Sequence, residues 1–270
     1  MGRIVVSVTS FNNDEEVLNF GKQLSVQSYA DDIIYLVTTN SAKNLNSLKN
    51  CLNKLKVTSY LYNPEKNLGY LNGCLYGIKQ YNSVNGNDIF VISNTDLTFL
   101  GDQVFSMIAE YMKDRRIWCL GPSIQDSTGN YQNPFLTERP SAKKIQMWKF
   151  VQGNSILLKI YTDLSRVKKN IHKKNVKAET QDVYALHGSF LVLSYACMRE
   201  LLNFRNEIFM YGEEILTAEL VRTNGRIVRY VSDIEIIHNE NSTTRLTNSK
   251  NKAKWYKQSF NHIYLTFFRE

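Results

Sequence analysis

Several features are scarce in this sequence of 270 residues, and each scarcity removes a class of protein. No stretch reaches the ~18 consecutive apolar residues that a membrane-spanning helix requires, so none is expected. The four cysteines, Cys51, Cys74, Cys119 and Cys197, stand far apart with no C-x-x-C pair. That excludes a zinc knuckle and a disulfide framework, and it fits a reducing setting. The N-terminus lacks the succession of charged, apolar and small residues of a secretory signal and runs almost at once into a strand pattern. A cytoplasmic protein is therefore expected, and the Asn241-Ser242-Thr243 sequon reads as chance. Acidic residues are outnumbered: the net charge is +8. Such a surplus implies an acidic partner or surface, namely nucleic acid, a nucleotide or lipid phosphate, or a membrane face. Charge alone does not choose among these, but no nucleic-acid-binding motif accompanies it, and nucleic acid is set aside.

What is present is the composition of a folded domain: 43% hydrophobic and 21% charged residues, with sixteen tyrosines and thirteen phenylalanines. Arg3–Thr9 reads as a buried strand, followed by helix-start signals at Asn12–Asp14, Glu15 and Glu16 and a helix running towards Ser28. Asp32–Thr38 is a second strand, Asn40–Leu55 carries leucines at helical spacing, and Val57–Tyr62 is a third strand. Strands alternating with helices of crossover length predict a parallel sheet. Gly69, Gly73 and Gly77 recur every four residues, which leaves one helix face almost bare for a strand or a ligand to approach. Ile89–Ile92 then forms a strand buried on both faces that stops at Ser93-Asn94-Thr95-Asp96. Such residues make an ordinary turn; at the C-terminal end of a strand in an open α/β sheet they also lie where ligands bind.

Phe105–Met112 reads as a helix and Ile117–Gly121 as a short strand. From Pro122 to Val151 the pattern dissolves into turns. Asp163–Thr180 is strongly basic with weak periodicity, which predicts a solvated loop. Tyr184–Ser194 reads as a strand with Gly188 in its middle, where a glycine marks a bulge or close approach. Tyr195–Leu202 is a helix, Phe209–Glu214 leads into another that stops at Asn224-Gly225, and Arg226–Ile237 is a strand or hairpin ending in His238. Lys250–Glu270 mixes lysines with aromatics, the pattern of an amphipathic helix that lies on an anionic membrane or packs on the domain.

An ordered set of short motifs carries a resemblance. It comprises Ser10-Phe11-Asn12 after the first strand, Asn63-Pro64, then Asn67-Leu68-Gly69-Tyr70 with Gly73 and Gly77. Asn94-Thr95-Asp96, His187-Gly188-Ser189-Phe190, Phe209-Met210-Tyr211-Gly212-Glu213-Glu214 and His238 complete it. This set resembles the family 2 glycosyltransferases of GT-A fold, especially the rhamnosyltransferase-like bacterial enzymes of surface-polysaccharide (O-antigen) synthesis, over about residues 3–240. The resemblance implies an α/β, GT-A (nucleotide-diphospho-sugar transferase) domain at 1–240, with a mostly parallel central sheet flanked by helices. Residues 241–270 follow as a basic, aromatic C-terminal helical extension.

The resemblance also implies chemistry. An inverting, metal-dependent enzyme moves a hexose or deoxyhexose from a nucleotide-diphosphate sugar to a glycan or lipid-linked oligosaccharide acceptor. It works in the cytoplasm or peripherally at the inner membrane face, with possible contact through the extension. Departure of the diphosphate calls for Mg2+ or Mn2+, for which Asp96 and His238 are the implied ligands. Asn94 reaches the sugar or the metal's water shell, while Ser10, Asn12, Asn67 and Gly69 line the nucleotide and diphosphate. Gly188 and Ser189 let the acceptor approach. Glu214 is the implied base, with Glu213 as understudy, and the start of a helix favours an ionised carboxylate.

Two departures stand out: Leu216 replaces a further Asp after the glutamate pair, and Val37-Thr38-Thr39-Asn40 lacks the Asp that reads the base in many relatives. They motivate the alternative of a non-catalytic nucleotide-sugar or glycan-binding protein on the same fold.

Overall fold

The computed structural model describes residues 2–40, 44–171, 176–239 and 248–269; the 241–243 sequon lies outside them. The first half alternates regularly. Strands β1 (Ile4–Ser10), β2 (Ile33–Thr39), β3 (Thr58–Tyr62) and β4 (Ile89–Ser93) are separated by helices α1 (Asp14–Ser25), α2 (Leu45–Leu52) and α3 (Tyr70–Gln80). The four strands are parallel in the order β3-β2-β1-β4. β1 and β2 are buried nearly throughout because helices cover both faces, which explains their unbroken apolar runs. A short strand, β5 (Leu97–Phe99), follows the Asn-Thr-Asp turn.

The second half is mixed. It contains α4 (Val104–Tyr111), β6 (Ile117–Asp126), α5 (Ala142–Gln152), α6 (Ser155–Ile171), β7 (Gln181–Val183), β8 (Phe190–Ser194), α7 (Tyr195–Asn203), α8 (Glu213–Thr223), β9 (Ile227–His238) and α9 (Ser249–Ile263). A π-helical turn, Tyr264–Phe268, closes it. β8 runs antiparallel between β4 and β6, β9 lies parallel to β6, and β5 and β7 pair with β9 antiparallel. The result is one nine-stranded sheet with apolar clusters on both faces.

Three sequence expectations need correction. β6 does not end at Gly121 but continues through Pro122 to Asp126, because a register shift between Pro122 and Ser123 accommodates the missing N–H. The supposed turn region contains α5, capped by the Ser141 side chain accepting from the Lys144 amide. Its apolar residues are spread around the helix, since only Ile145 is buried while Met147 and Phe150 face outward, so no stripe is visible. The basic stretch does not begin as a loop: up to Ile171 it is the second half of α6, whose apolar turns lie earlier, at Ile156–Leu164. Residues 172–175 of that stretch lie outside the described residues.

The glycine face of α3 serves packing at two of its three positions. A Cβ on Gly73 would sit 2.4 Å from Thr9 Oγ1, and one on Gly77 would sit 2.8 Å from Thr38 Oγ1. Close approach lets Thr9 Oγ1 donate to the Tyr70 carbonyl at 2.9 Å and Ser7 Oγ to the Cys74 carbonyl at 2.8 Å. Gly73→Ala should therefore cost roughly 1–3 kcal/mol in urea unfolding, the penalty of overpacking. Gly86→Ala, where a Cβ meets nothing within 4 Å, should change stability by less than about 1 kcal/mol.

Candidate active site

All four parallel strands deliver polar residues to one cavity of about 1100 Å3 at their C-terminal ends. Phe11, Asn13 and Glu16 come from the β1 loop and α1, Asn40 follows β2, Asn67 and Gly69 follow β3, and Asn94–Asp96 follow β4. The antiparallel half supplies the opposite wall, including His187–Ser189, Phe209–Ile215 and His238.

The first wall centres on Asp96, which is 6% exposed. His238 Nε2 lies 3.3 Å from Asp96 Oδ1, and its Nδ1 lies 2.9 Å from Gln132 Oε1. A carboxamide oxygen only accepts, so Nδ1 carries a proton and Nε2 is turned towards a carboxylate. A carboxylate oxygen facing a ring nitrogen is the donor pair a divalent cation takes. Asp96 Oδ2 is buried with no hydrogen-bond partner, and Asn94 Nδ2 lies 3.5 Å from His238 Nε2. An orphaned carboxylate oxygen beside an imidazole nitrogen fits a divalent cation whose remaining ligands come from a substrate. Among the described residues no group of three or more His, Cys, Asp and Glu side chains forms a self-sufficient metal cage.

The second wall centres on the glutamate pair. Tyr211 at φ 65° and Gly212 at φ 92° take left-handed conformations in succession, which turns the chain so that Glu213 and Glu214 open α8 with both side chains towards the cavity. A strained non-glycine residue beside acids in a cleft is a mark of a functional site. Gly188 is essential to this arrangement, since a Cβ there would sit 2.8 Å from Glu213 Oε1 and 3.0 Å from Glu214 Oε1. It is not in mid-strand as expected. β8 starts only at Phe190, and Gly188 belongs to the preceding turn, held by Tyr70 Oη donating to its carbonyl at 2.8 Å.

Burial, with the Glu214 charge adding to it, pushes the Glu213 carboxyl well above the usual range. Burial likewise raises Glu214, although backbone N–H groups, including those of Gly188 and Gly212, pull it back. The helix-start argument for an ionised pair is thus outweighed by desolvation. Farther along α8, Glu219 is fully buried and accepts from Arg139 Nε at 2.7 Å, Arg222 Nη2 at 2.8 Å and Tyr184 Oη at 2.6 Å. Burial works against its charge, but these hydrogen bonds win and hold it below the usual range. Leu216 is fully buried in the core and takes no part in the cavity.

The remaining expected residues are distributed as follows. Asn67 Oδ1 accepts from the Gly69 amide at 2.9 Å, and Gly69, at φ 77°, lies so close to the Phe209 carbonyl that a Cβ would fall 1.9 Å from its oxygen. Ser189 Oγ lies 2.9 Å from His187 Nδ1, and its carbonyl accepts from the Asn94 amide at 2.8 Å. Ser10 is buried behind the wall, where its hydroxyl donates to Asn13 Oδ1 at 2.8 Å. Asn12, in a left-handed conformation at φ 56°, does not line the cavity; its neighbour Asn13 does.

Sequence reasoning missed Asn13, Glu16, Gln132 and the aromatic floor. Asn13 and Glu16 carry the spacing of a capping box, but Asn13 Nδ2 instead bonds Glu16 Oε2 at 3.0 Å and Thr95 Oγ1 at 2.9 Å, tying the β1 loop to the Asn-Thr-Asp turn. The floor comes from the C-terminal helix. Tyr256 stacks on Tyr211 at 4.0 Å between ring centroids and 10° between planes, and Trp255 and Phe260 also line the cavity. The aromatic face of α9 is therefore spent on packing against the domain and on the cavity wall.

At the level of sequence, no family model and no curated protein matches the chain. Solved structures do. A mannosyltransferase from Pyrobaculum calidifontis in complex with GDP-Man and Mn2+ superposes with a TM-score of 0.56 at 12% identity, covering 89% of this chain and 58% of that one. GalNAc-T7 with UDP, GalNAc and Mn2+ gives 0.58 at 13%, covering 90% and 44%. S. aureus TarS in complex with UDP-GlcNAc gives 0.55 at 12%, covering 90% and 59%. The chain thus has the GT-A fold, with a mostly parallel sheet flanked by helices, and spans about half the length of these structures.

Proposed function

We propose that the chain is an inverting glycosyltransferase that moves a hexose or deoxyhexose from a nucleotide-diphosphate sugar to a glycan acceptor, lipid-linked in the manner of bacterial surface-polysaccharide synthesis. The observation that carries this reading is the presence, on facing halves of one cavity, of the Asp96–His238 pair with its orphaned Oδ2 and the glutamate pair at the start of α8, Glu213 buried and Glu214 half-buried. The fold supports it: its solved neighbours are captured with nucleotide-sugars or with a nucleotide and a sugar.

In this reading Asp96 and His238 would hold Mg2+ or Mn2+, which when bound would supply positive charge for the departing diphosphate. Asn67, Gly69 and the β1 loop, with Ser10 and Asn12 supporting it, hold the nucleotide and diphosphate, and Asn94 orients the sugar. The acceptor enters past Gly188 and Ser189, and the rings of Tyr211 and Tyr256 offer flat faces suited to a sugar. Glu214 Oε takes the acceptor hydroxyl proton. The acceptor oxygen bonds to the anomeric carbon while the bond to the phosphate oxygen breaks, and its electron pair leaves with the nucleoside diphosphate. Glu213, the more deeply buried acid, holds a proton beside it.

A thermal-shift panel of nucleotide-diphosphate sugars, each with and without Mn2+, tests the donor half. A ligand that binds only the folded state at about a hundredfold excess over its Kd adds roughly 2.7 kcal/mol. One donor should raise the melting temperature with Mn2+ and raise it less without; no metal-dependent shift with any donor defeats the reading. A donor that binds but is never turned over favours the non-catalytic alternative.

A further inference from the structure

Large apolar side chains left in solvent are not scattered evenly over this fold. Fourteen are exposed among the described residues, and five of them, Met147, Phe150, Ile156, Ile160 and Leu164, lie on the hairpin of α5 and α6 away from the cavity. The sides of the two helices account for this. In α6, Leu158 is buried, and Ile156 and Ile160, two residues to either side, fall on the opposite face. In α5, Ile145 is buried, and Met147 and Phe150 point the other way. Both helices pack against α9 with their buried faces, so their apolar faces are turned outward together. Phe150 and Ile156 are each 70% exposed, values that a soluble surface tolerates singly but not as a group.

The charge around this patch is mainly of one sign. Lys143, Lys144 and Lys159 are exposed on the same two helices, against a single exposed acid among their described side chains, Asp163. An apolar helix face bordered by lysines is the pattern of an element that lies in the plane of an anionic bilayer, with rings and branched chains in the acyl boundary and ammonium groups at the phosphates. Three lysines to one carboxylate favour the phosphates of an anionic surface over a basic partner. The C-terminal helix expected to make such a contact has its aromatic face turned inward, so the hairpin is the better-equipped element. The same hairpin reaches the cavity: Trp148, Gln152 and Tyr161 are among its lining residues.

We propose that the α5–α6 hairpin is a membrane-docking element that seats the chain on an anionic lipid surface with the cavity mouth beside the bilayer. Together with the glycosyltransferase reading, this places the acceptor's lipid anchor on the hairpin side, but the docking itself is independent of that reading and is measured without any donor.

The test is co-sedimentation of the full chain with vesicles of phosphatidylcholine containing about one-third phosphatidylglycerol, and with vesicles of phosphatidylcholine alone. The chain should sediment with the anionic vesicles, less so as salt rises. The triple variant Phe150→Glu, Ile156→Glu, Ile160→Glu should bind at least about tenfold more weakly, with an unchanged melting temperature and unchanged donor binding. No sedimentation of the parent chain, or equal sedimentation of the variant, overturns the proposal. Equal binding to the neutral vesicles overturns the anionic surface as the occupant. A parent chain that dimerises in light scattering, and becomes monomeric in the variant without binding vesicles, assigns the patch to a second copy instead and overturns it as well.

Discussion

Glu214→Gln should lower kcat by about 10²–10⁴-fold, the contribution of a positioned general base, with little change in donor affinity. The carboxamide keeps the shape of the side chain and its contacts to the Gly188 turn but cannot take a proton. Single-turnover assays beside thermal shift separate the two effects. Turnover that survives both Glu214→Gln and Glu213→Gln removes the base from this pair. The pH dependence carries a second signature. Burial raises both carboxyls, so the acidic limb of the pH–rate profile should lie above the ordinary glutamate range, and the rate should fall as the pH drops through it. The stability of the fold runs the other way. The folded chain holds protons that the unfolded chain has released, so this contribution is full below the ordinary carboxyl pKa and declines as the pH rises towards the raised values. Denaturant midpoints of the parent chain should therefore fall relative to those of Glu213→Gln as the pH goes from 5 to 9, and parallel midpoints would count against a buried, proton-holding Glu213.

Asp96→Ala should have an effect of similar size by a different route. If cation-assisted charge neutralisation supplies about 4 kcal/mol, its loss is roughly 10³-fold in kcat/KM. Donor binding should lose its Mn2+ dependence as well, because the diphosphate then has no cation to share with the protein. Calorimetric titration of Mn2+ with nucleoside diphosphate present checks this without any turnover. Donor binding that still strengthens with Mn2+ in the variant would move the metal away from Asp96. Asp96→Ala should not unfold the chain: it removes a carboxylate whose Oδ2 has no partner, and His238 keeps its bond to Gln132.

Much of this was legible in the residues. The parallel half of the sheet announces itself because strands buried on both faces must be continuously apolar and their crossovers must be helices. Asn94–Asp96, Gly69 and the Glu213-Glu214 pair all line the one cavity, the first following a parallel strand and the other two standing at helix starts. The antiparallel half was harder. Pro122 looks like a strand end unless the bulge that follows it is known, and α5 hides because its apolar side chains point two ways at once. The position of Gly188 in a turn rather than a strand depends on Glu213 and Glu214, some 25 residues downstream, and no local pattern reports that. Gln132 entered the site only because β6 runs on to Asp126 and its turn brings the chain back beside His238.

The stacking of Tyr256 on Tyr211 has a consequence for how the protein matures. Glu213, Glu214, Asp96, His238 and the Gly188 turn are all encoded before α9, yet one side of the cavity they line is built from Trp255, Tyr256 and Phe260. Because synthesis is vectorial, a nascent chain carries these polar groups before it carries the aromatic wall that α9 adds, so the cavity is completed last, by the docking of a single helix.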